Sequence, residues 1–107
     1  MLAKKYRFKN FNFQKLINQG QKVKNRYFLI YYLKNENQKK FAVLVKKDYS
    51  KKAVIRNKIR RRIFEILRNN LNKINNGYYL IIVFKDGQFL KFTELQNELL
   101  KILLSIS

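Results

Sequence analysis

The segment Lys51 to Arg62, KKAVIRNKIRRR, places seven cations in twelve residues with no acid among them. Apolar positions continue beyond it at Ile63, Ile66, Leu67 and Leu71, three and four residues apart, so the charge rides on an ordered helix and not on a loose tail. The pattern predicts one long helix from about Ala53 to Ile74, roughly 33 Å at 1.5 Å per residue. At about 100° per residue, Ile55, Ile59, Ile63, Ile66, Leu67, Leu71 and Ile74 gather on one side, with Asn57, Lys58, Arg61, Glu65 and Arg68 on the other. Arg56 and Arg60 break this separation, falling within or at the edge of the apolar arc. A buried, unpaired guanidinium is very costly. The first turns are therefore expected to project past a sheet, leaving both arginines free to meet an external partner.

The rest of the chain supplies that sheet. With 107 residues, 47 % hydrophobic content and no proline, residues 1–107 fit one domain with a small core. Lys4 to Lys9 reads as an irregular or extended cationic lead-in. Phe13, Leu16 and Ile17 recur at helical spacing from about Asn12 to Gln19, with Asn12 placed to cap the start and Gly20 to end the helix. Asn25 to Leu33 reads as a strand with Tyr27, Leu29, Tyr31 and Leu33 on one face and Phe28, Ile30 and Tyr32 on the other. After a polar turn, Lys40 to Lys46 is a second strand, expected to pair antiparallel with the first as a hairpin. The charged loop Lys47 to Lys52 leads into the long helix, which Asn75, Asn76 and Gly77 stop. Tyr78 to Phe84, YYLIIVF, is apolar enough for a central strand. Asp86 and Gly87 then turn the chain, and Gln88 to Lys91 extends or pairs a strand. Thr93 and Gln96 form a capping box for a terminal helix carrying Leu95, Leu99, Leu100, Ile102 and Leu103. The order α-β-β-α-β-α describes an α+β fold, a small two-layer α/β sandwich with a mixed sheet and a long central basic helix.

Charge indicates what such a domain meets. The chain carries 25 Lys and Arg against 6 Asp and Glu, a formal +19 that repels itself unless polyanions are close by. Residues 1–62 hold nearly all of this excess. A solvated helix face is the ordinary reading of a charge run. Its density, and arginines suited to gripping phosphate oxygens in pairs, favour a large phosphate-rich partner. Among Phe13, Tyr27, Phe28, Tyr31 and Tyr32, those left on an open sheet face beside cations are placed to stack on unpaired bases.

Independent catalysis finds little support. Cys and His are absent. Glu36, Asp48 and Asp86 lie singly in predicted turns, Glu65 lies on the long helix, and Glu94 and Glu98 read as a solubilising pair. Neither a phosphate-cradling glycine loop nor a nucleophile elbow occurs. The chain reads as a binder that assists another catalyst. Its longest apolar runs fall short of the ~20 residues that span a bilayer, and no signal-peptide core follows the basic start. The expectation is a soluble cytoplasmic protein with no membrane partner and no protein oligomer.

From Ala53 to Arg61 the sequence AVIRNKIRR resembles the signature helix of the bacterial ribonuclease P protein subunits, in which a lysine-rich loop leads into Ala-Val-x-Arg-Asn and further Arg and Lys. The basic start, Phe13, Gln14 and Gly20, the aromatic strand, the loop, the apolar strand and the closing helix resemble that family in the same order. The resemblance implies a protein partner of a catalytic RNA that removes the 5′ leader from precursor tRNA, with magnesium ions held mainly by the RNA and no catalytic residue in the protein. It implies that Arg56, Asn57, Arg60 and Arg61 face the catalytic RNA, and the basic run adds Lys51, Lys52, Lys58 and Arg62 to that surface. Phe13, Ile17 and Tyr31 match positions lining a cleft for the single-stranded leader, where Ile17 offers apolar packing and no stacking. A left-handed strand-helix-strand crossover is also implied, against the usual right-handed rule. Lys58 stands where the family pattern has arginine, keeping the charge but not the bidentate fork. Phe64 replaces a commonly basic position, Arg62 a commonly apolar one, and the loop from Lys47 to Lys52 is one residue longer and lacks its usual glycine. Two further readings compete: a structural RNA-binding protein such as a ribosomal component, and a membrane-surface or partner-binding domain using the terminal helix.

Overall fold

Tyr78 to Phe84 is apolar on both sides of its pleat, which suits a strand with neighbours on both edges and cover on both faces. In the computed structural model of the chain, which describes residues 6, 13–35 and 37–106, that is where it lies. The elements are α1 (Phe13–Gln19), β1 (Gln21–Lys24), β2 (Phe28–Lys34), β3 (Lys39–Val45), α2 (Ala53–Asn69), β4 (Gly77–Val83) and α3 (Phe92–Leu104), with 3-10 turns at Leu71–Lys73 and Lys85–Phe89. The four strands lie in the order β1-β2-β4-β3. β4 runs antiparallel to β2 and parallel to β3, so the sheet is mixed and β3-α2-β4 forms a strand-helix-strand unit.

The expected hairpin between the second and third of these strands does not form. β4 inserts between them, and Lys34 and Lys39 both stand in register with Gly77. The short connection is held around the start of β4. Asn35 Oδ1 accepts the backbone N–H groups of Asn37 and Gln38 at 2.9 Å. The Gly77 N–H donates to the Gln38 carbonyl at 2.8 Å, and the Tyr78 hydroxyl donates to Gln38 Oε1 at 2.8 Å. The hairpin that does exist joins β1 and β2. Its first strand, Gln-Lys-Val-Lys, has a single apolar residue and no periodicity to reveal it. Asn25 belongs to the turn between the two, its Oδ1 accepting the N–H groups of Tyr27 and Phe28 at 2.8 Å, so β2 starts at Phe28.

Other boundaries shift for local reasons. α2 ends at Asn69 and not Ile74, because the Asn70 side chain donates to the Ile66 carbonyl at 2.7 Å and the chain tightens into a 3-10 turn. Residues 85–89 form a second such turn in place of the extra strand expected near Gln88. α3 begins at Phe92, and Glu94 accepts the Lys91 N–H at 3.1 Å, the role expected of the Thr93–Gln96 pair. The lead-in Lys4 to Lys9 other than Tyr6, the proposed cap Asn12, and Glu36 lie outside the described residues.

Strand register sorts the sheet into two faces. Phe28, Ile30, Phe41, Val45, Tyr79, Ile81 and Val83 point toward α2 and α3 and form the core with Ile59, Ile63, Phe64, Ile66, Leu67, Leu95, Leu99, Ile102 and Leu103. Leu16 and Leu80 are the two buried apolar residues outside that cluster, and α1 packs on β2 and β4. Among the described residues α1 therefore covers the other face of the sheet, and only in part. Among the described residues no helix is long and apolar enough to cross a membrane.

Tyr79 lies at the centre of the core face. Its ring stacks on Phe41 at 5.2 Å and lies 6.4 Å from Tyr32, and its hydroxyl donates to the Asn75 carbonyl at 2.7 Å. Burial, with a smaller contribution from Tyr32, pushes its pKa up from 10.0 to about 12. The folded state holds this proton more tightly than the unfolded chain does. The stabilisation is complete below about pH 10 and is lost as the pH rises toward 12, a difference on the order of 2–3 kcal/mol. Denaturant midpoints measured between pH 9 and pH 12 should fall less in Tyr79→Phe than in the parent, because the variant lacks this titration.

Candidate nucleic-acid interface

The loop before α2 is pinned by one aromatic side chain. Tyr49 is buried, and its N–H donates to the Lys46 carbonyl at 3.0 Å, closing a turn that leaves Lys47, Lys51 and Lys52 exposed. Ser50 then links loop and helix. Its Oγ accepts the Lys52 N–H at 3.2 Å, and its carbonyl accepts Arg56 Nη1 at 2.8 Å. α2 has no acid in its first turn, so the positive end of the helix dipole adds to the side-chain charge.

Arg56 and Arg60 are half-buried and held, not free as expected. Arg60 Nη1 donates to Asn57 Oδ1 at 2.6 Å, one turn back on the same face. These bonds satisfy one donor of each guanidinium and fix its direction, leaving the other N–H groups for an external acceptor. Lys51, Lys52, Asn57, Lys58, Arg61 and Arg62 are exposed. Arg62 lies over the Phe92 ring at 5.9 Å. Among the described residues the one ion pair is Arg26–Asp86 at 3.0 Å, with neither partner on this helix. The cations of 51–62 thus form one surface on which no ion pair forms among the described residues, with Glu65, one turn beyond Arg61, the one acid on the helix. Phe64 is buried in the core, which is why the family's commonly basic position has no charge to present here.

A second surface lies on the opposite face of the sheet. Leu16 anchors α1 there, while Phe13 and Ile17, three residues before and one after it, remain 41 % and 39 % exposed. Tyr31 is half-buried, and its place in the β2 register puts it on this same face with Leu29 and Leu33. The three residues expected in a cleft are therefore brought to one side of the sheet. Farther along, two lysines approach the Phe84 ring, with Lys24 Nζ 5.3 Å and Lys46 Nζ 5.6 Å from its centre. This aromatic beside two cations escapes sequence reasoning because Lys24 belongs to β1. The available signal is pleat parity, since Phe84 follows Tyr78, Leu80 and Ile82 by even steps.

A basic helix whose cations form no ion pair among the described residues and a half-open aromatic sheet face, in the order α-β-β-β-α-β-α, can be set against known proteins. The profile of the family described as Ribonuclease P matches residues 2–107. The chain belongs to the ribonuclease P protein family. It is 39 % identical over 101 residues to the ribonuclease P protein component of Mycoplasma mycoides subsp. mycoides SC, covering 92 % of each chain. It is 38 % identical over 88 residues to that of Carboxydothermus hydrogenoformans, covering 76 % of this chain and 75 % of the relative. The solved ribonuclease P protein of Staphylococcus aureus superposes with a TM-score of 0.81 at 30 % identity over 92 % of each chain. That of Thermotoga maritima gives 0.83 at 26 % identity, covering 90 % of this chain and 92 % of its own. Within a ribonuclease P protein the scarcity of acids matters for metal chemistry. Among the described residues no group of three or more His, Cys, Asp or Glu side chains comes together to hold an ion.

Proposed function

We propose that this family member works in the cytoplasm as the protein component of a ribonuclease P ribonucleoprotein, assisting removal of the 5′ leader from precursor tRNA. The catalytic RNA performs the hydrolysis with magnesium ions that it holds itself, in keeping with a protein whose acids are scattered. Lys51, Lys52, Arg56, Asn57, Lys58, Arg60, Arg61 and Arg62 contact that RNA. Phe13, Ile17 and Tyr31 line the cleft for the single-stranded leader, and Phe84 beside Lys24 and Lys46 extends it. By placing cations between two polyanions the protein lowers their repulsion and the magnesium needed for productive binding. The observation that carries this reading is the family match across residues 2–107 combined with an uncompensated basic α2.

The test is cleavage of a 5′-extended precursor tRNA by the cognate RNA at low magnesium, with and without the protein and with Arg56 and Arg61 both changed to Ala. Protein-dependent cleavage should be lost in the double variant. Arg61 is exposed, and Arg56 gives up one hydrogen bond worth about 1 kcal/mol, so the fold should survive. RNA binding with no effect of the protein on cleavage would instead indicate a structural RNA-binding protein such as a ribosomal component.

A further inference from the structure

In the first turns of α2, Val54 and Ile55 stay 75 % and 41 % exposed. Across from Ile55, Phe92, at the start of α3, is 38 % exposed. Between these two elements lies a groove of about 170 Å³, with Lys58 and Arg62 at its rim and Tyr49 and Gln88 also lining it. Tyr49 is only 8 % exposed, yet its hydroxyl has no hydrogen-bond partner among the described residues. Tyr49 and Arg62 line the same groove. A hydroxyl on a groove wall with no partner in the chain is available to an external hydrogen-bonding group.

We propose that this groove takes one unpaired nucleobase of the RNA that binds α2, with the base stacked against Phe92 and its polar edge turned to the Tyr49 hydroxyl and the Gln88 amide. The inference rests on the RNA-binding role proposed for α2 and adds a base-binding site to it. The volume suits a single flat ring system and falls below the roughly 300 Å³ and more of pockets for drug-sized ligands. Apolar walls match the faces of a base, and the Tyr49 hydroxyl and the exposed Gln88 amide match its hydrogen-bonding edge. Lys58 and Arg62 at the rim match the phosphates on either side of it. The charge also selects the occupant: a second copy of this chain would bring another +19 to a rim that has no acid. The Arg62–Phe92 contact holds the ring in place for stacking on its open side.

The experiment measures affinity for the cognate ribonuclease P RNA and nucleotide-resolution chemical reactivity of that RNA in the complex, for the full chain and five variants. Phe92→Ala should weaken binding roughly 5- to 150-fold, the range for one lost base stack, without changing the salt slope, since no phosphate contact is removed. One unpaired nucleotide protected by the parent should become reactive. Phe92→Tyr should restore both properties and Phe92→Leu should not, which separates stacking from packing of α3. Tyr49→Phe should raise the reactivity of the same nucleotide. The proposal is overturned if Phe92→Ala matches the parent in affinity and footprint, or if Leu rescues as well as Tyr. The Arg56/Arg61 double variant serves as reference. If it loses RNA binding while Phe92→Ala does not, only the groove is wrong; if it binds as the parent does, the role of α2 is wrong.

Discussion

Raising the salt from 50 to 200 mM should weaken binding of the cognate RNA by about three orders of magnitude. The expectation follows from counting charges on one surface. Lys51, Lys52, Lys58, Arg61 and Arg62 are exposed, and Arg56 and Arg60 retain donors beyond those used within the chain. If about six phosphates are neutralised, each contributes roughly −0.7 to −0.9 to the log-log slope, for a total near −4 to −5. Removing one fully exposed cation, as in Arg61→Ala, should reduce the slope by about one and leave the fold intact. Arg56→Ala should do more than remove a charge, because it also frees the Ser50 carbonyl and loosens the loop that presents Lys51 and Lys52. A filter-binding series across four salt concentrations reads both effects. A flat response would mean that contacts other than phosphate pairing hold the RNA, and the electrostatic account of α2 would fail.

What the sequence reveals depends on whether the deciding interaction is local. The α2 surface is legible because a helix places its own residues, and seven cations without an acid read the same in sequence and in space. The Arg60–Asn57 bond belongs to this class, three residues apart on one face. The Arg56–Ser50 bond does not, since it depends on how the loop folds back. The two faces of β2 are legible from its alternation, but its partner is not. A polar turn between two strand-like segments favours a hairpin, and only the two-sided apolar character of β4 argues for a third strand between them. β1 carries no pattern of its own and is defined by the edge of β2 that it covers. For the same reason the Phe84 site stayed hidden until the sheet order joined Lys24, Lys46 and Phe84. The groove at Phe92 likewise requires the docking of α3 beside α2, for which no spacing in the sequence stands proxy.

Gly20→Ala should be the most damaging single methyl in the chain. An added Cβ would lie 2.5 Å from the Leu16 carbonyl oxygen and 2.6 Å from that of Tyr32. Both are backbone atoms, so no side chain can swing aside. The Leu16 contact arises at the end of α1 itself, where the Gly20 N–H donates to the Leu16 carbonyl at 2.8 Å, and the Tyr32 contact from the close approach of that end to β2. Two responses compete. Moving β2 would disturb a strand paired on both edges. Releasing α1 uncovers mainly Leu16 and Leu80, at about 1.5–3 kcal/mol for each side chain fully exposed. Release is the cheaper route, and it caps the loss at about 3 kcal/mol, since Leu80 keeps its strand neighbours. The variant should therefore retain the core of the sheet, α2 and α3, and with it RNA binding through α2. It should lose the cleft that Phe13 and Ile17 share with Tyr31. Measured against precursors with and without a 5′ leader, the parent should favour the leader-bearing substrate, while Gly20→Ala binds the two alike. If the variant keeps that preference at unchanged stability, α1 does not form one wall of the leader site.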